Sequence, residues 1–423
     1  MIEIAVVRNN APEVVEKLKV KNFDASGIIE RLQQVDAERR QTQKELDDML
    51  SEGKTLAKDI GRLFKEGKGE EASELKERTS VIKQKTKVLQ EQLNNLSREQ
   101  NDLMVQLPNL PHESVPAGNT VEDNIIVSSH GSLPQLHDAA LSHWDLAKKY
   151  QLIDFEWGNK ITGAGFPVYK GFGARLQRAL IAFFLDEAID AGYTEYQPPV
   201  LVNEDSAFAT GQLPDKDGQM YHIPLDNLYL IPTAEVPVTN FFRDTILNEE
   251  DLPVKSTAYS LCFRREAGSY GKDVRGLNRL HQFDKVEIVQ VTHPEKSYQA
   301  LEEMVEHVSM LLKKLELPFR VARLCGGDMS FAAALTYDME VYSAAQKRWL
   351  EVSSISNFET FQSNRMKLRF RNKQGKNELA HTLNGSALAL PRILAALLEN
   401  NQTEKGINIP KVLQPYFRTA MIQ

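Results

Sequence analysis

The densest group of residues able to do chemistry lies in the run 262–288, CFRREAGSYGKDVRGLNRLHQFDKVEI. It reads as a strand, a long loop and a returning strand. Arg264 and Glu266 are two positions apart and so share one face of the first strand. The loop carries Gly268, Gly271 and Gly276 with the cations Lys272, Arg275 and Arg279. On the return strand His281, Phe283, Lys285 and Glu287 alternate onto a common face. Such a set offers a guanidinium to a phosphate, an aromatic plate to a base and a carboxylate to a small polar group. The bland alternative is a charged surface hairpin, since charged loops are common.

Three further segments carry convergent polar chemistry: LIPTAEVP at 230–237, WLEVSSISNF at 349–358 and LNGSALALPRI at 383–393. The first and third supply the polar side chains Thr233, Glu235, Asn384 and Ser386. The second supplies the oxygen donors Glu351 and Ser354. The chain has no GxGxxG or GxxxxGK[ST], so Rossmann and Walker-type nucleotide binding lose support. Its nine histidines show no HExxH and read as surface or core residues.

The elements that must position these residues follow from patterning. Residues 228–231, 256–264, 281–291, 319–324, 335–342 and 349–354 read as strands, rich in aromatic and β-branched side chains. Helical patterns occupy 174–192, 297–315 and 391–400. The strands arrive close together without a helix between each pair, which predicts an antiparallel sheet with helices on one side.

The first quarter of the chain is different. From about 25 to 105 it has no proline, few aromatics and a dense mixture of Glu, Lys, Gln and Leu. Steps of three and four run through Leu32, Val35, Arg39, Thr42, Leu46, Met49, Gly53, Leu56, Ile60 and Leu63. They resume through Leu75, Thr79, Ile82, Thr86, Leu89, Leu93, Leu96, Gln100 and Leu103, a coiled-coil spacing weakened by scattered polar residues. Gly67-Lys68-Gly69 permits a reversal, which predicts an antiparallel helical hairpin over about 26–105. Each arm would project ~50 Å at ~1.5 Å per residue. Its charges nearly cancel, apart from a basic run at 83–87. Taken by itself the hairpin suits dimerisation; attached to a catalytic half it suits a partner reached far from the core. The prolines of 107–111 and the run 116–119 mark a linker at 108–120, so the expected division is 1–107, linker, and 121–423.

Bulk properties bound the alternatives. The chain has 423 residues, 42% apolar and 26% charged, which supports a sizeable core and two or three domains. Cys262 and Cys325 are the only cysteines, which excludes a disulfide framework and a four-cysteine zinc site; both read as packing residues. A net charge of −7 gives no global basic footprint, but a nucleic-acid partner needs only a local patch. Residues 1–8 lack the basic start of a signal peptide, and no apolar run approaches the roughly 18 residues of a membrane span. A cytoplasmic protein without membrane association is expected.

Taken together, the four segments resemble the class II aminoacyl-tRNA synthetases, in the bacterial form carried by the seryl-tRNA synthetase family. The run 262–288 resembles motif 2, 230–237 the serine-binding TAE loop, 349–358 the E-x-S-S strand and 383–393 motif 3. The resemblance spans the whole chain, including the hairpin, and implies an α+β fold: an antiparallel class II catalytic sheet behind an N-terminal coiled-coil arm. It implies that Arg264 clamps the ATP α-phosphate, Glu266 meets the adenine amino group, Phe283 stacks on adenine and Arg392 holds the γ-phosphate. Arg265, Leu280, Val352 and Ser353 join these in the implied ATP site, and Glu351 and Ser354 match the family's Mg²⁺ ligands. Glu287 and Ser386 would face the serine side chain, Thr233, Ala234 and Glu235 its amino group, with Asn384 beside them. The implied activity is serine–tRNA ligation through seryl-adenylate, on tRNA(Ser) and, where it exists, tRNA(Sec), by a homodimer whose arm reads the long variable arm of the tRNA. The alternative is a synthetase-like activator loading a carrier protein, which would lack the hairpin. A degenerate scaffold is disfavoured by the intact Arg264, Glu266, Glu351 and Arg392.

Three positions depart from the family pattern. Arg265 stands where a small residue is frequent, and its side chain is expected to point away from Arg264. Tyr270 sits in the loop, where it could touch the tRNA end. Pro391 stands where many relatives have glycine, and proline suits the first turn of a helix.

Overall fold

The computed structural model describes residues 1–215, 217–266 and 275–423. It separates into two compact units: Met1–Lys19 with Phe23–Pro108, and Val20–Asn22 with Asn109–Gln423.

The first unit is helical. Helix α1 (Ile4–Val20) precedes a long antiparallel pair, α2 (Ser26–Lys65) and α3 (Gly69–Met104). The reversal falls at Gly67, whose φ of +76° is a conformation that costs a β-carbon-bearing residue more. Every position of the predicted seam, from Leu32 to Leu63 and from Leu75 to Leu103, is buried or half-buried. The polar positions Thr42, Thr79 and Thr86 lie in the seam as well, and Thr79 and Thr86 turn their hydroxyls onto the carbonyls of Leu75 and Lys83. At the base of the pair, Asp36 is buried, and Arg8 donates to it from α1 at 2.6 and 2.9 Å. Gln100 of α3 donates to the same carboxylate at 3.0 Å, so one side chain ties three helices together. Helix α1 is not predicted by the patterning; it contains Pro12 and a kink at Asn10, which blur its periodicity.

The second unit is built on an eight-stranded sheet. In chain order its strands are β1 (Ile125–His130), β2 (Thr194–Tyr196), β3 (Val254–Phe263), β4 (Gln282–Thr292), β5 (Phe319–Arg323), β6 (Leu335–Ser343), β7 (Arg348–Glu359) and β8 (His381–Ala389). In space they run β1-β5-β6-β7-β8-β4-β3-β2. All pairings are antiparallel except β2 on β3. The helices α4 (Phe172–Asp190), α5 (Ser297–Lys314) and α6 (Leu390–Asn400) pack on it. Their Phe183, Leu301 and Leu394 share one apolar core with Val286, Ile288, Ile355, Leu383 and Ala387 of the sheet. The alternate residues of the same strands, Phe283, Lys285, Glu287, Asn384 and Ser386, line a cavity on the opposite face. Period-2 alternation thus divides one sheet into a structural face and a polar face. Among the described residues no helix is long and apolar enough to cross a membrane.

Candidate active site

The polar face opens into a cavity of about 540 Å³. Strand β4 contributes Phe283, Lys285 and Glu287, and the end of β3 leads into Arg264 and Glu266. Strand β7 contributes Glu351, Val352, Ser353 and Ser354; β8 contributes Asn384 and Ser386. Arg392 enters from the first turn of α6, where Pro391 occupies an N-terminal helical position as expected. Thr233, Glu235 and Leu280 complete the expected residues found there. Segments up to about 160 residues apart in sequence are therefore brought to one cleft.

Two expected residues are not in it. Arg265 is exposed outside the lining, and its main-chain N–H donates to the Gln219 carbonyl at 2.9 Å. Alternation along the extended backbone sends its side chain away from Arg264, so its expected ATP contact is corrected to an outward position. Ala234 is wholly buried behind the cavity wall, in a small apolar cluster with Val238, Ala258 and Val289. Gly268, Tyr270, Gly271 and Lys272 lie outside the described residues, so the expectation for Tyr270 is not addressed.

At one end of the cleft the groups suit a nucleotide. The Arg264 guanidinium sits 5.3 Å from the centroid of the Phe283 ring. Glu266 holds a positive φ of 49° and accepts from Arg279 at 3.0 Å. Sparsely populated backbone of this kind clusters at functional sites. Arg392 donates to the carbonyls of Asn278 and Glu351, at 3.2 and 2.7 Å.

The exit of the motif 2-like loop is fixed from below. His143 accepts from the Leu277 N–H at 2.9 Å through Nε2, and its Nδ1 meets Glu399 at 2.7 Å, in a fully buried pair. A β-carbon at Gly276 would fall 2.3 Å from His143 Nε2, and its φ is +68°, so glycine is required on two counts. The reading of the histidines as plain surface or core residues misses this anchoring role for His143.

At the other end a buried polar network takes over. Thr233 Oγ1 donates to Glu287 at 2.9 Å and accepts from Lys285 Nζ at 2.7 Å, while Lys285 and Glu287 also pair directly. The Glu235 main chain donates to Thr233 Oγ1 at 3.2 Å. Burial, and then the charge of Glu287, push the Glu235 carboxyl up to about 7, opposed by a hydrogen bond from Gln362. Ser353 spends its hydroxyl on the Ser386 carbonyl at 2.6 Å and so joins β7 to β8.

Several lining residues escape sequence reasoning. Lys285 is not one of them, because its alternation with Phe283 and Glu287 is a sequence signal. Asn278, Gln212 and the wall Ser330–Phe331–Ala332 have none. Asp338 faces Ser354 across the β6–β7 pairing in a neighbouring cavity of about 580 Å³ that shares Glu351 and Arg392. Burial, and then the charge of Glu351, hold its carboxyl well above the usual carboxylate range, and its Oδ1 has no hydrogen-bond partner.

Both parts of the chain are similar to known proteins. Residues 221–401 match the model of the tRNA synthetase class II core domain (G, H, P, S and T), and 1–111 match the seryl-tRNA synthetase N-terminal domain. The chain is 51% identical to the serine–tRNA ligase of Salinibacter ruber, covering 100% of this chain and 99% of that one. It is 45% identical to that of Neisseria meningitidis serogroup C, covering 98% of each. Among solved structures, the seryl-tRNA synthetase of Pyrococcus horikoshii complexed with ATP superposes with a TM-score of 0.93 at 32% identity, covering 100% of this chain and 99% of that one. The cytoplasmic serine–tRNA ligase of Naegleria fowleri in complex with AMP gives 0.88 at 26%, again covering 100% and 99%.

Proposed function

The chain belongs to the seryl-tRNA synthetase family of class II serine–tRNA ligases, and from that premise we propose that its cleft joins serine to ATP and passes the seryl group to tRNA. The serine carboxylate attacks the α-phosphorus, the bond to the β-phosphate oxygen breaks, and pyrophosphate leaves. A terminal ribose hydroxyl of the tRNA then attacks the seryl carbonyl, and AMP departs with the bonding electron pair. Neither step needs a protein nucleophile.

The observation that carries this reading is the convergence of Arg264 and Arg392 with the Lys285–Glu287–Thr233 network on one cleft. In the first step negative charge spreads over the α-phosphate oxygens, and a cation already in place stabilises it without reorganising. Arg264 takes that role and Arg392 holds the γ-phosphate; the planar fork fixes geometry as well as charge. Phe283 and Glu266 receive adenine, with Leu280 and Val352 as apolar walls. Glu235 and Thr233 receive the amino group of serine, while Glu287, Asn384 and Ser386 face its hydroxyl. Alanine would forgo the hydrogen bonds that the serine hydroxyl makes to Glu287 and Ser386, so it is disfavoured; threonine keeps the hydroxyl and is excluded by shape.

Glu351 and Ser354 would hold Mg²⁺. Their oxygens line the cleft, and the partnerless Asp338 Oδ1 lies beside them, a donor set that suits a hard cation. When bound it supplies charge neutralisation on the phosphate oxygens.

The division into a tRNA-reading domain over 1–107 and a catalytic domain over 121–423 belongs to the same proposal. The hairpin reads a long variable arm by shape and backbone, as RNA helices are commonly read. Its near-cancelling charges fit that mode better than sequence-independent polyanion binding. A cytoplasmic homodimer acting on tRNA(Ser), and on tRNA(Sec) where present, completes the reading. Loading of a carrier protein gains no support, because the hairpin is intact.

The direct test is aminoacylation of total tRNA with each of the twenty amino acids, together with serine-dependent pyrophosphate exchange. Charging by serine alone is expected. Charging by another amino acid, or exchange without any charging, would overturn the assignment.

A further inference from the structure

We propose that Gln362 is a positioning residue for amino-acid selection, favouring the ionised form of the Glu235 carboxylate and holding it in place to receive the substrate's amino group. The proposal rests on the reading of Glu235 given above. Gln362 does not line the cleft. It is fully buried behind it, on the short helix Phe361–Met366.

The geometry of its amide is one-way. Gln362 Nε2 donates to Glu235 Oε1 at 2.6 Å and to the Thr210 carbonyl at 3.1 Å. Its Oε1 accepts from the Thr382 hydroxyl at 2.7 Å. A main-chain carbonyl can only accept, so the nitrogen end must face Thr210 whatever the state of Glu235. Turning the amide over would set its oxygen against that carbonyl, oxygen facing oxygen, whereas the Thr382 hydroxyl could serve either end. Gln362 can therefore give a hydrogen bond to Glu235 but cannot take one from it. Such a partner favours the charged carboxylate over the neutral acid.

That bias matters because the surroundings push the other way. Glu235 is buried and faces the Glu287 carboxylate, both of which favour its neutral form; Lys285 and Asn384 oppose them more weakly. A neutral Glu235 would meet a substrate ammonium as a dipole rather than a charge. The bond to Thr210 also links the carboxylate to the wall formed by Thr210, Gly211 and Gln212. That wall has an independent anchor, since Arg365 of the same helix donates to the carbonyls of Phe208 and Leu213 at 2.9 and 3.0 Å. Removing the Gln362 amide therefore takes away the donor to Glu235 while the wall keeps its main tie.

The experiment is serine-dependent pyrophosphate exchange by the full chain and by Gln362→Leu, with KM for serine and for ATP measured from pH 6 to 8.5. Leucine is close in volume and cannot donate. The expected result is a KM for serine raised roughly ten- to a hundredfold at pH 7, with KM for ATP within about twofold of the parent. The excess should shrink as pH rises and Glu235 ionises without help. Glu287 and Lys285 are common to both proteins, so their own titration cancels in the comparison. An unchanged KM for serine, or a rise that ignores pH, overturns the proposal. If Gln362→Leu fails to fold, Thr382→Val, which removes the hydroxyl that holds the oxygen end of the amide, should give about a threefold rise with the same pH trend; no rise there overturns it equally. Glu235→Gln separates the two layers. Normal serine affinity in that variant would sink the reading of Glu235 and this proposal with it, whereas a large loss in Glu235→Gln with none in Gln362→Leu would sink only the role of Gln362.

Discussion

Arg392 and Glu351 meet in the lining of the cleft: Nη1 of the arginine lies 3.4 Å from the glutamate Oε2 and donates to its main-chain carbonyl at 2.7 Å. Both side chains are substantially exposed, at 29% and 48%, so the direct ion pair contributes little. The main-chain hydrogen bond instead places the guanidinium at the mouth of α6, ready to exchange a weak carboxylate contact for a phosphate. The proposed phosphate clamp and metal ligand thus hold each other in register before substrate arrives.

Arg392→Ala should remove the clamp without removing structure. The residue is half-exposed, and α6 keeps its buried apolar face. Pyrophosphate exchange should fall by about a hundredfold or more, as loss of a preorganised charge in a transition state does. Thermal melting should move by no more than ~2 °C. Near-normal exchange would show that the γ-phosphate role has been misplaced.

Removing the arm should separate the two half-reactions. A variant lacking about 30–100 should still form seryl-adenylate, because every cleft-lining residue lies beyond Asn109. It should charge no tRNA. Single-turnover adenylate formation beside tRNA charging is the measurement, and surviving charging would end the assignment of the hairpin as the tRNA reader.

Glu235 should make the fold less stable as pH rises. Its folded pKa is raised from the ordinary value to about 7, so the folded state binds the proton more tightly than the unfolded chain does. The stabilisation is complete below about 4.5 and is lost as pH climbs through about 7. The loss is a few kcal/mol at most, given the coupled charges around it. Urea melts of the parent and of Glu235→Gln should converge at pH 5 and differ at pH 8, with the glutamine variant the more stable. Equal stabilities at both pH values would contradict the burial argument.

Asp36 should matter more to the arm than any exposed ion pair. Hydrogen bonding from Arg8 holds its carboxyl below the usual range, against the cost of burial. Asp36→Ala leaves Arg8 and Gln100 without their shared acceptor and should destabilise the helical unit by about 1–3 kcal/mol. For the parent, this contribution is present above the ordinary carboxylate range and disappears as pH falls through the lowered value. Helical circular dichroism on melting, at pH 7 and pH 3, reads both effects; an unaltered melt in the variant would show that the tie is decorative.

Gly276→Ala should disturb the loop exit. The new methyl would meet His143 Nε2 at 2.3 Å, on a backbone that disfavours it. A severalfold rise in KM for ATP is expected, with a melting temperature lowered by a few degrees. Unchanged kinetics would mean that His143 yields.

Much of this was legible in the chain before folding. The seam of the hairpin follows from a local period, because a helix face is set by residues three and four apart. The same holds for Phe283, Lys285 and Glu287, whose common face is dictated by strand alternation. The roles expected of Arg264, Glu351 and Arg392 came from the family resemblance of the segments that carry them, and not from their residue types.

What the sequence could not express is adjacency across the sheet. Strand β8 lies between β7 and β4, so Asn384 and Ser386 reach Glu287 only after distant strands have paired. Gln362, Thr210 and Thr382 are separated along the chain and ordinary in type, and only the packed structure turns them into one hydrogen-bonded support for Glu235. Asp338 became notable only when burial and the neighbouring Glu351 shifted its carboxyl. Local periodicity is a property of backbone geometry and can be read from one segment. Burial, desolvation and long-range hydrogen bonding depend on which segments exclude water from one another, and the tertiary fold alone decided that.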